Sequence, residues 1–409
     1  MSQALRFLTL ELYSGSDITN ALANSQVNLT APMRGTFGRF ELFVNLAGDL
    51  RNVQLVPRHC VVTGRERDSG ETMTVLFSGS LRATNLRARE ILGNSEFTSR
   101  EVRSAASLEP DVVVTDHLWA RPWLRWRKSI RVPKWVRQEL PVASTWDETV
   151  SALPRKLRRD IARLLRKFEY RLCLDQRSDA LPDFYRELHL PYVQARFAND
   201  ALAVDESAFL HESRNATRLN LMHNNAIVAA CLVKRDGEKL LIRRNSMKAD
   251  ADWLKGRADV MDYYCLLLAQ LLGCKILDFG LSRPHIMDGP FRYKAKWRTR
   301  IVRSGGSEPA TCISPIRPTA ATLAFLRRNY FIQQANSNFF VRILYDHGSP
   351  ADTIARLEDK TRNLGLTQVQ LACHRRTEIS DPSNPLPANF RIQRLSDPRD
   401  PIYQLLEHP

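Results

Sequence analysis

The clearest hydrophobic pattern in the chain has a helical period. Between Pro154 and Phe168, Leu157, Ile161, Leu164, Leu165 and Phe168 recur at helical spacing on one face. The opposite face carries Arg155, Lys156, Arg158, Arg159, Arg163, Arg166 and Lys167. Residues three and four apart share one side of a helix, so this stripe predicts an amphipathic helix with its apolar face on a core. Pro154 sits at its first turn, where a missing N–H does no harm. A strand, Arg171–Leu174, and a helix, Leu181–Arg196, follow. Leu219–His223, Ala226–Lys234 and Lys239–Asn245 then read as three consecutive strands joined by Asn224-Asn225 and Asp236-Gly237, both hairpin signals. A helix over Ala258–Leu272 ends at Gly273, a natural residue just beyond a helix end, and Lys275–Phe279 reads as a closing strand.

The flanks have a weaker pattern. Residues 1–35 hold no sustained period. Phe40–Leu46, Val53–Val56, Cys60–Thr63 and Thr72–Phe77 read as strands, Leu86–Leu92 as a helix and Asp111–Thr115 as a buried strand. This strand–helix–strand rhythm predicts an α/β arrangement. Phe77-Ser78-Gly79-Ser80 before a helix is either a phosphate cradle or an ordinary turn. Between Trp119 and Trp135 four tryptophans alternate with six Arg or Lys, and Pro122 and Pro133 break any long helix. Such a segment is either an inter-domain connector or a stacking platform for an anionic partner. Near the C-terminus Val341–Tyr345 reads as a strand, Pro350–Leu364 as a helix, and Val369–Cys373 and Phe390–Leu395 as strands, with a loop marked by Pro382, Pro385 and Pro387. The pattern divides the chain into residues 1–140, 141–308 and 309–409.

Composition narrows the partners. The 409 residues carry a formal charge of +16, which favours nucleic acid, a phosphate-bearing cofactor or an acidic membrane surface over a neutral ligand, unless the arginines are simply solvated. No apolar run approaches the ~18–20 residues that span a bilayer, and the first residues lack the features of a signal peptide. Seven cysteines form no Cys-x-x-Cys pair. That usage predicts reduced thiols, a cytoplasmic location and no structural metal.

Helix, strand, helix, antiparallel meander, helix, strand is the order of the GNAT acyltransferase fold, with its mixed, mainly antiparallel sheet. The residues extend the likeness. Asp278-Phe279-Gly280-Leu281-Ser282-Arg283-Pro284, continuing through Asp288-Gly289 to Tyr293-Lys294-Ala295-Lys296-Trp297, resembles the signature loop of FemAB-like acetyltransferases. Leu157-Arg158-Arg159-Asp160 with Arg163 and Lys167 resembles that family's basic helix. Phe184-Tyr185, Pro191-Tyr192 and Arg196 resemble its next one. The resemblance covers about 160 residues, under half of the chain. One departure is Arg298, where the family often has Gly after Lys-Trp.

The resemblance implies acyl transfer from a thioester, with acetyl-CoA as co-substrate and an amine or hydroxyl of a sugar, polysaccharide precursor or other small acceptor as nucleophile. A proton acceptor is then needed, and Asp278, His285, Asp288 and Tyr293 are the candidates. Asp278 can equally serve its own loop amides, and Asp288-Gly289 can be a plain turn. Lys255, Gly256, Arg257 and Ala258, opening the helix at Ala258, are the candidates for the CoA diphosphate. Arg196, Ser282, Arg283, Lys294, Lys296 and Trp297 are the candidates for the acceptor, although Trp297 also suits a core. The basic face of 154–168 could meet tRNA or the acidic inner face of a membrane, placing the protein there peripherally. Two other readings stay open: a Fem-type aminoacyl transferase fed by charged tRNA, and a non-catalytic GNAT-fold binding protein.

Overall fold

A computed structural model describes residues 10–12, 58–79, 84–93, 96–103, 108–115, 129–175, 177, 180–197, 205–248, 256–304, 311–335, 338–345, 357–358, 360–374 and 389–395. The strands expected at Phe40–Leu46 and Val53–Val56, residues 119–128 of the Trp-rich segment, Lys255, most of Pro350–Leu364 and the Pro382–Pro387 loop lie outside the described residues. The chain forms two compact units. The first holds residues 1–40, 137–280 and 296–299, and the second 41–136, 281–295 and 300–409. The three sequence segments are thus distributed over two units: residues 41–136 and 309–409 fall in the second, and residues 1–40 fall with most of the central segment in the first. The loop read as one functional segment, 278–297, is divided between them.

The first unit contains, in order, β1 (Leu10–Leu12), β2 (Val136–Pro141), α1 (Trp146–Ala152), α2 (Arg155–Phe168), β3 (Arg171–Asp175) and α3 (Ala180–Asp183). A π turn (Phe184–His189) leads into α4 (Leu190–Phe197). Then come α5 (Glu206–Glu212), β4 (Thr217–His223), β5 (Ala226–Asp236), β6 (Lys239–Met247), α6 (Arg257–Leu271) and β7 (Ile276–Ser282). The strands lie side by side in the order β1-β3-β4-β5-β6-β7-β2. β3, β4, β5 and β6 pair antiparallel in succession, whereas β1–β3 and β6–β7 are parallel. This is the mixed, mainly antiparallel sheet expected from the sequence.

Local chemistry explains these elements. Asn224 and Asn225 both take positive φ (49° and 62°), as a two-residue hairpin with the twist of its strands requires. The second hairpin turns one residue later than the sequence suggests. Asp236 still pairs with Lys239, and Gly237 (φ 57°) with Glu238 forms the turn. At the end of α6 the Cys274 N–H donates to the Ala269 carbonyl at 2.8 Å and the Gly273 N–H to that of Gln270 at 3.1 Å, with Gly273 at φ 67°. These two bonds satisfy carbonyls that the helix leaves open.

The core follows the sequence stripes. Leu157, Ile161, Leu164 and Phe168 of α2 are buried with Leu219, Leu221, Leu240, Leu277 and much of α6 in one cluster. The α6 helix is buried on nearly every side, which is why its sequence is apolar without a clean stripe. A smaller cluster on Ala230 and Leu232 of β5 gathers Phe184, Tyr185, Leu188 and Phe209.

The second unit has two sheets. Arg58–Arg65, Thr72–Gly79, Phe97–Val102, Val112–Thr115, Ile130–Val132 and Thr311–Pro315 form one. Ile332–Ala335, Asn338–Tyr345, Gln368–His374 and Phe390–Leu395 form the other. The Thr84–Leu92 helix packs through Ala88, Ile91 and Leu92 into a core with Val62, Val75, Phe77 and Phe325. Gly79 lies within a strand, so the segment after Phe77 begins as sheet.

Candidate functional site

The feature of the first unit that bears most on chemistry is the junction of β6 and β7. The parallel ladder pairs Lys239 with Ile276, Leu240 with Leu277 and Leu241 with Asp278, and ends there. β6 nevertheless runs on to Met247 and β7 to Ser282. On its other side β6 stays laddered to β5 through Met247, paired with Ala229. Past Leu241, therefore, β6 has one edge satisfied and the other unpaired by β7. Within this stretch Leu232 pairs with Arg244 and Val233 with Ile242, so Arg243 is the extra residue of a β-bulge. A bulge bends its strand and re-aims the residues after it. Gly280 marks the departure of β7. It takes φ 76°, and a Cβ there would meet the Ile242 carbonyl oxygen at 3.3 Å.

Asp278 closes the paired end of this junction. Its carboxylate is 1% exposed, is salt-bridged to Arg137 of β2, and accepts the Gly280 N–H at 2.7 Å. Its side chain is thus engaged by a guanidinium and a loop amide. Beside it Lys239 pairs with Glu139 at 2.6 Å.

The glycine that opens α6 is also set by packing. Gly256 has φ 85°, and a Cβ there would lie 2.5 Å from Leu164 Cδ1. Arg257 is buried, and its Nη2 donates to the Lys248 carbonyl at 3.0 Å. Ala258 packs on the main core. Lys296 is ion-paired with Asp259 in the first turn of α6. Trp297 is 0% exposed, with its ring centroid 5.8 Å from that of Phe279. It is a core residue and has no face open for stacking on an acceptor. Arg298 takes φ 62° and donates to the Ala152 carbonyl at 2.9 Å. That left-handed backbone is the physical reason a glycine suits this position. Arg196 lies in α4.

The remaining predicted residues belong to the second unit. Arg283 is salt-bridged to Asp288 and lies 3.7 Å from Glu90, and His285 Nδ1 lies 3.9 Å from the same Glu90. The structure thus brings Arg283, His285 and Asp288 together around a carboxylate that sequence reasoning missed. Burial and the neighbouring Asp288 raise the Glu90 pKa against the pull of Arg283. Burial, helped by the Arg283 charge, pushes the His285 imidazole down to about 4. Asp288 also accepts the Phe291 N–H at 3.0 Å and so caps the short helix Gly289–Ala295. Lys294 Nζ donates to the Leu281 carbonyl at 2.7 Å, and Tyr293 is half-buried in the same helix. Ser282 is buried, and its hydroxyl has no hydrogen-bond partner among the described residues.

A further polar group lies on the other face of β6, unmarked by any motif. His189 ends the π turn, where the Leu190 N–H reaches back five residues to the Tyr185 carbonyl. Its Nδ1 lies 3.1 Å from Ser246 Oγ, on the part of β6 beyond the β7 ladder. Phe184 stacks on the ring at 5.9 Å and Phe209 packs at 5.1 Å. Burial and the Arg244 charge push this imidazole down to about 4. Asn245, on the opposite face, donates to Asp262 of α6 at 3.2 Å. Among the described residues no group of His, Cys, Asp and Glu could hold a metal ion, and no helix is long and apolar enough to cross a membrane.

No protein-family model and no curated protein matches the chain. Solved structures do. FemX is 12% identical over 62% of this chain and 83% of its own, with a TM-score of 0.34. L-PGS from Bacillus licheniformis is 11% identical over 64% and 86%, with a TM-score of 0.31. A GCN5-related N-acetyltransferase from Kribbella flavida is 9% identical over 81% and 77%, with a TM-score of 0.26. At such values the strand order and register carry the assignment. The β4-β5-β6 meander, the following helix α6 and the parallel β6–β7 pair that parts beyond Leu241 give the first unit a GNAT-type, FemAB-like fold.

Proposed function

We propose that the chain is an acyltransferase that moves an acetyl group from acetyl-CoA to an amine or hydroxyl of a sugar, polysaccharide precursor or other small acceptor. The observation that supports this reading best is the unpaired edge of β6 beyond Leu241. Backbone N–H and C=O groups left without a strand partner are a template for an extended chain carrying its own amides. The pantetheine arm of CoA has that chemistry, and it would dock along this edge of β6. A filled junction would instead suit a non-catalytic scaffold.

The exposed face of α2 supports a second reading. Arg155, Lys156, Arg159, Arg163, Arg166 and Lys167 are all exposed, and their helix contains one acid, Asp160. A cationic stripe of this kind suits tRNA, as a Fem-type aminoacyl transferase would need, or the acidic inner face of a membrane.

A thermal-shift panel tests both readings. Ligand at 100 times its Kd stabilises by ~2.7 kcal/mol, which is a measurable rise in Tm. A rise with acetyl-CoA, and none with bulk tRNA, supports the first reading. A rise with tRNA alone favours the aminoacyl reading. No response to acetyl-CoA or to longer acyl-CoAs at millimolar concentration overturns the CoA reading.

A further inference from the structure

Two arginines, Arg137 and Arg243, stand on one face of the β6–β7 junction, and no motif marks either of them. Leu277 and Phe279 of β7 are buried in the cluster that holds α6. Alternation along a strand therefore sends Asp278 to the opposite face. On that face Phe209 of α5 packs against Ala230 and Leu232 of β5. Arg137 of β2 reaches it, since its Nη1 binds the Asp278 carboxylate. Strict alternation would send Arg243 and Arg244 of β6 to opposite faces. The bulge turns both toward α5. There Arg243 Nη2 donates to the Glu212 carbonyl at 3.4 Å, and Arg244 Nη2 to the Glu212 carboxylate at 2.8 Å.

Position and charge coincide at this place. Asp278 is on the last rung of the β6–β7 ladder, opposite Leu241, so its bond to Arg137 fixes a guanidinium at that rung. Arg243 lies two residues further, roughly 7 Å along β6, where β7 no longer pairs with the strand. The Arg137 side chain is 25% exposed and Arg243 is half-buried, so a ligand can reach both. Arg137, Arg243 and Arg244 together face two carboxylates, Asp278 and Glu212. Lys239 and Glu139 beside them cancel. One positive charge is therefore in excess where the gap begins. A guanidinium presents its N–H donors in a fixed plane that matches a carboxylate or a phosphate. Arg137 gives one nitrogen to Asp278, so an anion on its Nε–Nη2 edge leaves the buried pair intact.

We propose that Arg137 and Arg243 form an anion clamp that recognises a carboxylate or phosphate on the acceptor and holds its nucleophile at the β6–β7 split. The inference rests on the CoA reading above, and it divides the two substrates by face. Arg257 ties the end of β6, at the Lys248 carbonyl, to the diphosphate candidate at Gly256. An arm that starts there and follows the free edge of β6 runs back toward Leu241, with its thioester at the split. The acceptor then approaches that thioester from the α5 face, past the two guanidiniums.

Two measurements test the clamp, the first of them without donor. Arginine Nε–Hε NMR spectra of the wild-type protein are titrated with sodium acetate and, separately, with inorganic phosphate. The Arg137 and Arg243 signals, identified by their loss in Arg137→Lys and Arg243→Gln, should shift together and saturate, and the more effective anion names the headgroup. In Arg243→Gln the Arg137 shift should need roughly 10-fold more anion. Arg137→Lys keeps a cation for Asp278, and Arg243→Gln loses one long bond to a carbonyl, so both variants should fold. Flat signals, or a shift of one arginine that is indifferent to loss of the other, overturn the clamp whatever the protein transfers. The second measurement compares acceptors in CoA release from acetyl-CoA: β-alanine against β-alaninamide, and 2-aminoethyl phosphate against ethanolamine. In one pair the anionic member should be favoured in kcat/KM by roughly 10–100-fold. Arg243→Gln should remove that preference and leave the neutral member unchanged. Equal release within both pairs, whether fast or absent, overturns the acceptor role. Failure of wild type to bind acetyl-CoA by calorimetry overturns the donor reading, and the anion titration then decides the clamp on its own.

Discussion

Gly256 can be required for two reasons, and a double-mutant cycle with Leu164 separates them. In Gly256→Ala the new methyl meets two penalties. The backbone at φ 85° is left-handed, which costs an L residue roughly 1–2 kcal/mol. The methyl also falls 2.5 Å from Leu164 Cδ1, well inside contact distance, and such overpacking costs typically about 1–3 kcal/mol. The single variant should therefore lose roughly 2–5 kcal/mol. Leu164→Ala alone should lose about 2–5 kcal/mol through its cavity. In the double variant the methyl enters the space that Leu164 vacated, so only the backbone penalty of Gly256→Ala remains. The coupling energy should be about 1–3 kcal/mol and favourable. Urea unfolding, with hydrogen exchange read on peptides covering 155–168 and 257–271, reports the first unit directly. Additive losses, or a Gly256→Ala protein within about 0.5 kcal/mol of wild type, would refute the packing argument. The double variant then gives a clean test of the diphosphate. If it binds acetyl-CoA like Leu164→Ala, the glycine serves the fold and not the ligand.

Arg283→Ala should cost roughly 3 kcal/mol of stability, because it leaves the 1%-exposed Asp288 and the nearby Glu90 without their cation, whereas Lys294→Ala, losing one bond to a carbonyl, should cost about 1 kcal/mol or less; urea melts of both variants check the contrast. His285 should give stability a slope on the acid side. Its pKa is about 4 folded against 6.5 unfolded, so the unfolded chain binds the extra proton and stability falls as pH drops from 6.5 to 4, by at most ~3 kcal/mol. Glu90 opposes this slope with its raised pKa, so the quantity to measure is wild type minus His285→Gln in melts from pH 4 to 7.5, and no difference in slope refutes it. Reversing Arg159, Arg163 and Lys167 to Glu should leave melting near wild type, since all three are exposed. If α2 meets tRNA, the same variant should flatten the salt dependence of binding by about 2 or more in log–log slope, and an unchanged slope places the contact elsewhere.

The elements that the sequence made legible are those whose signal is local. The α2 stripe, the Asn224-Asn225 turn and Gly273 each encode their structure within a few residues, and the structure reproduces them. The π turn was not legible, because one extra residue in a helix leaves the hydrophobic period of Phe184, Tyr185 and Leu188 nearly unchanged. The extension of β7 through Gly280 to Ser282 was hidden by a glycine that reads as a turn and is in fact a kink inside a strand. Glu90 and Arg137 were beyond reach for another reason. They meet the signature loop only through tertiary folding, and nothing in their own neighbourhoods marks them.

The density of charge between Asp278 and Trp297 reads in the sequence as catalytic equipment, and in the structure several of these charges are also paired with one another or with neighbours. A buried carboxylate is tolerated only when a cation or several N–H donors compensate it. Asp278 has Arg137 and the Gly280 amide, Asp288 has Arg283 and the Phe291 amide, and Lys296 pairs with the half-buried Asp259. An anionic ligand competing for one of these cations would have to leave a carboxylate behind, at a cost near that of the mutation which removes the cation. Ligand binding is cheaper where polar groups are already unsatisfied. In the first unit that condition holds along the β7-side edge of β6 beyond Leu241. On the CoA reading proposed above, the bulged half of β6, from Arg243 to Met247, is where a ligand displaces no such partner.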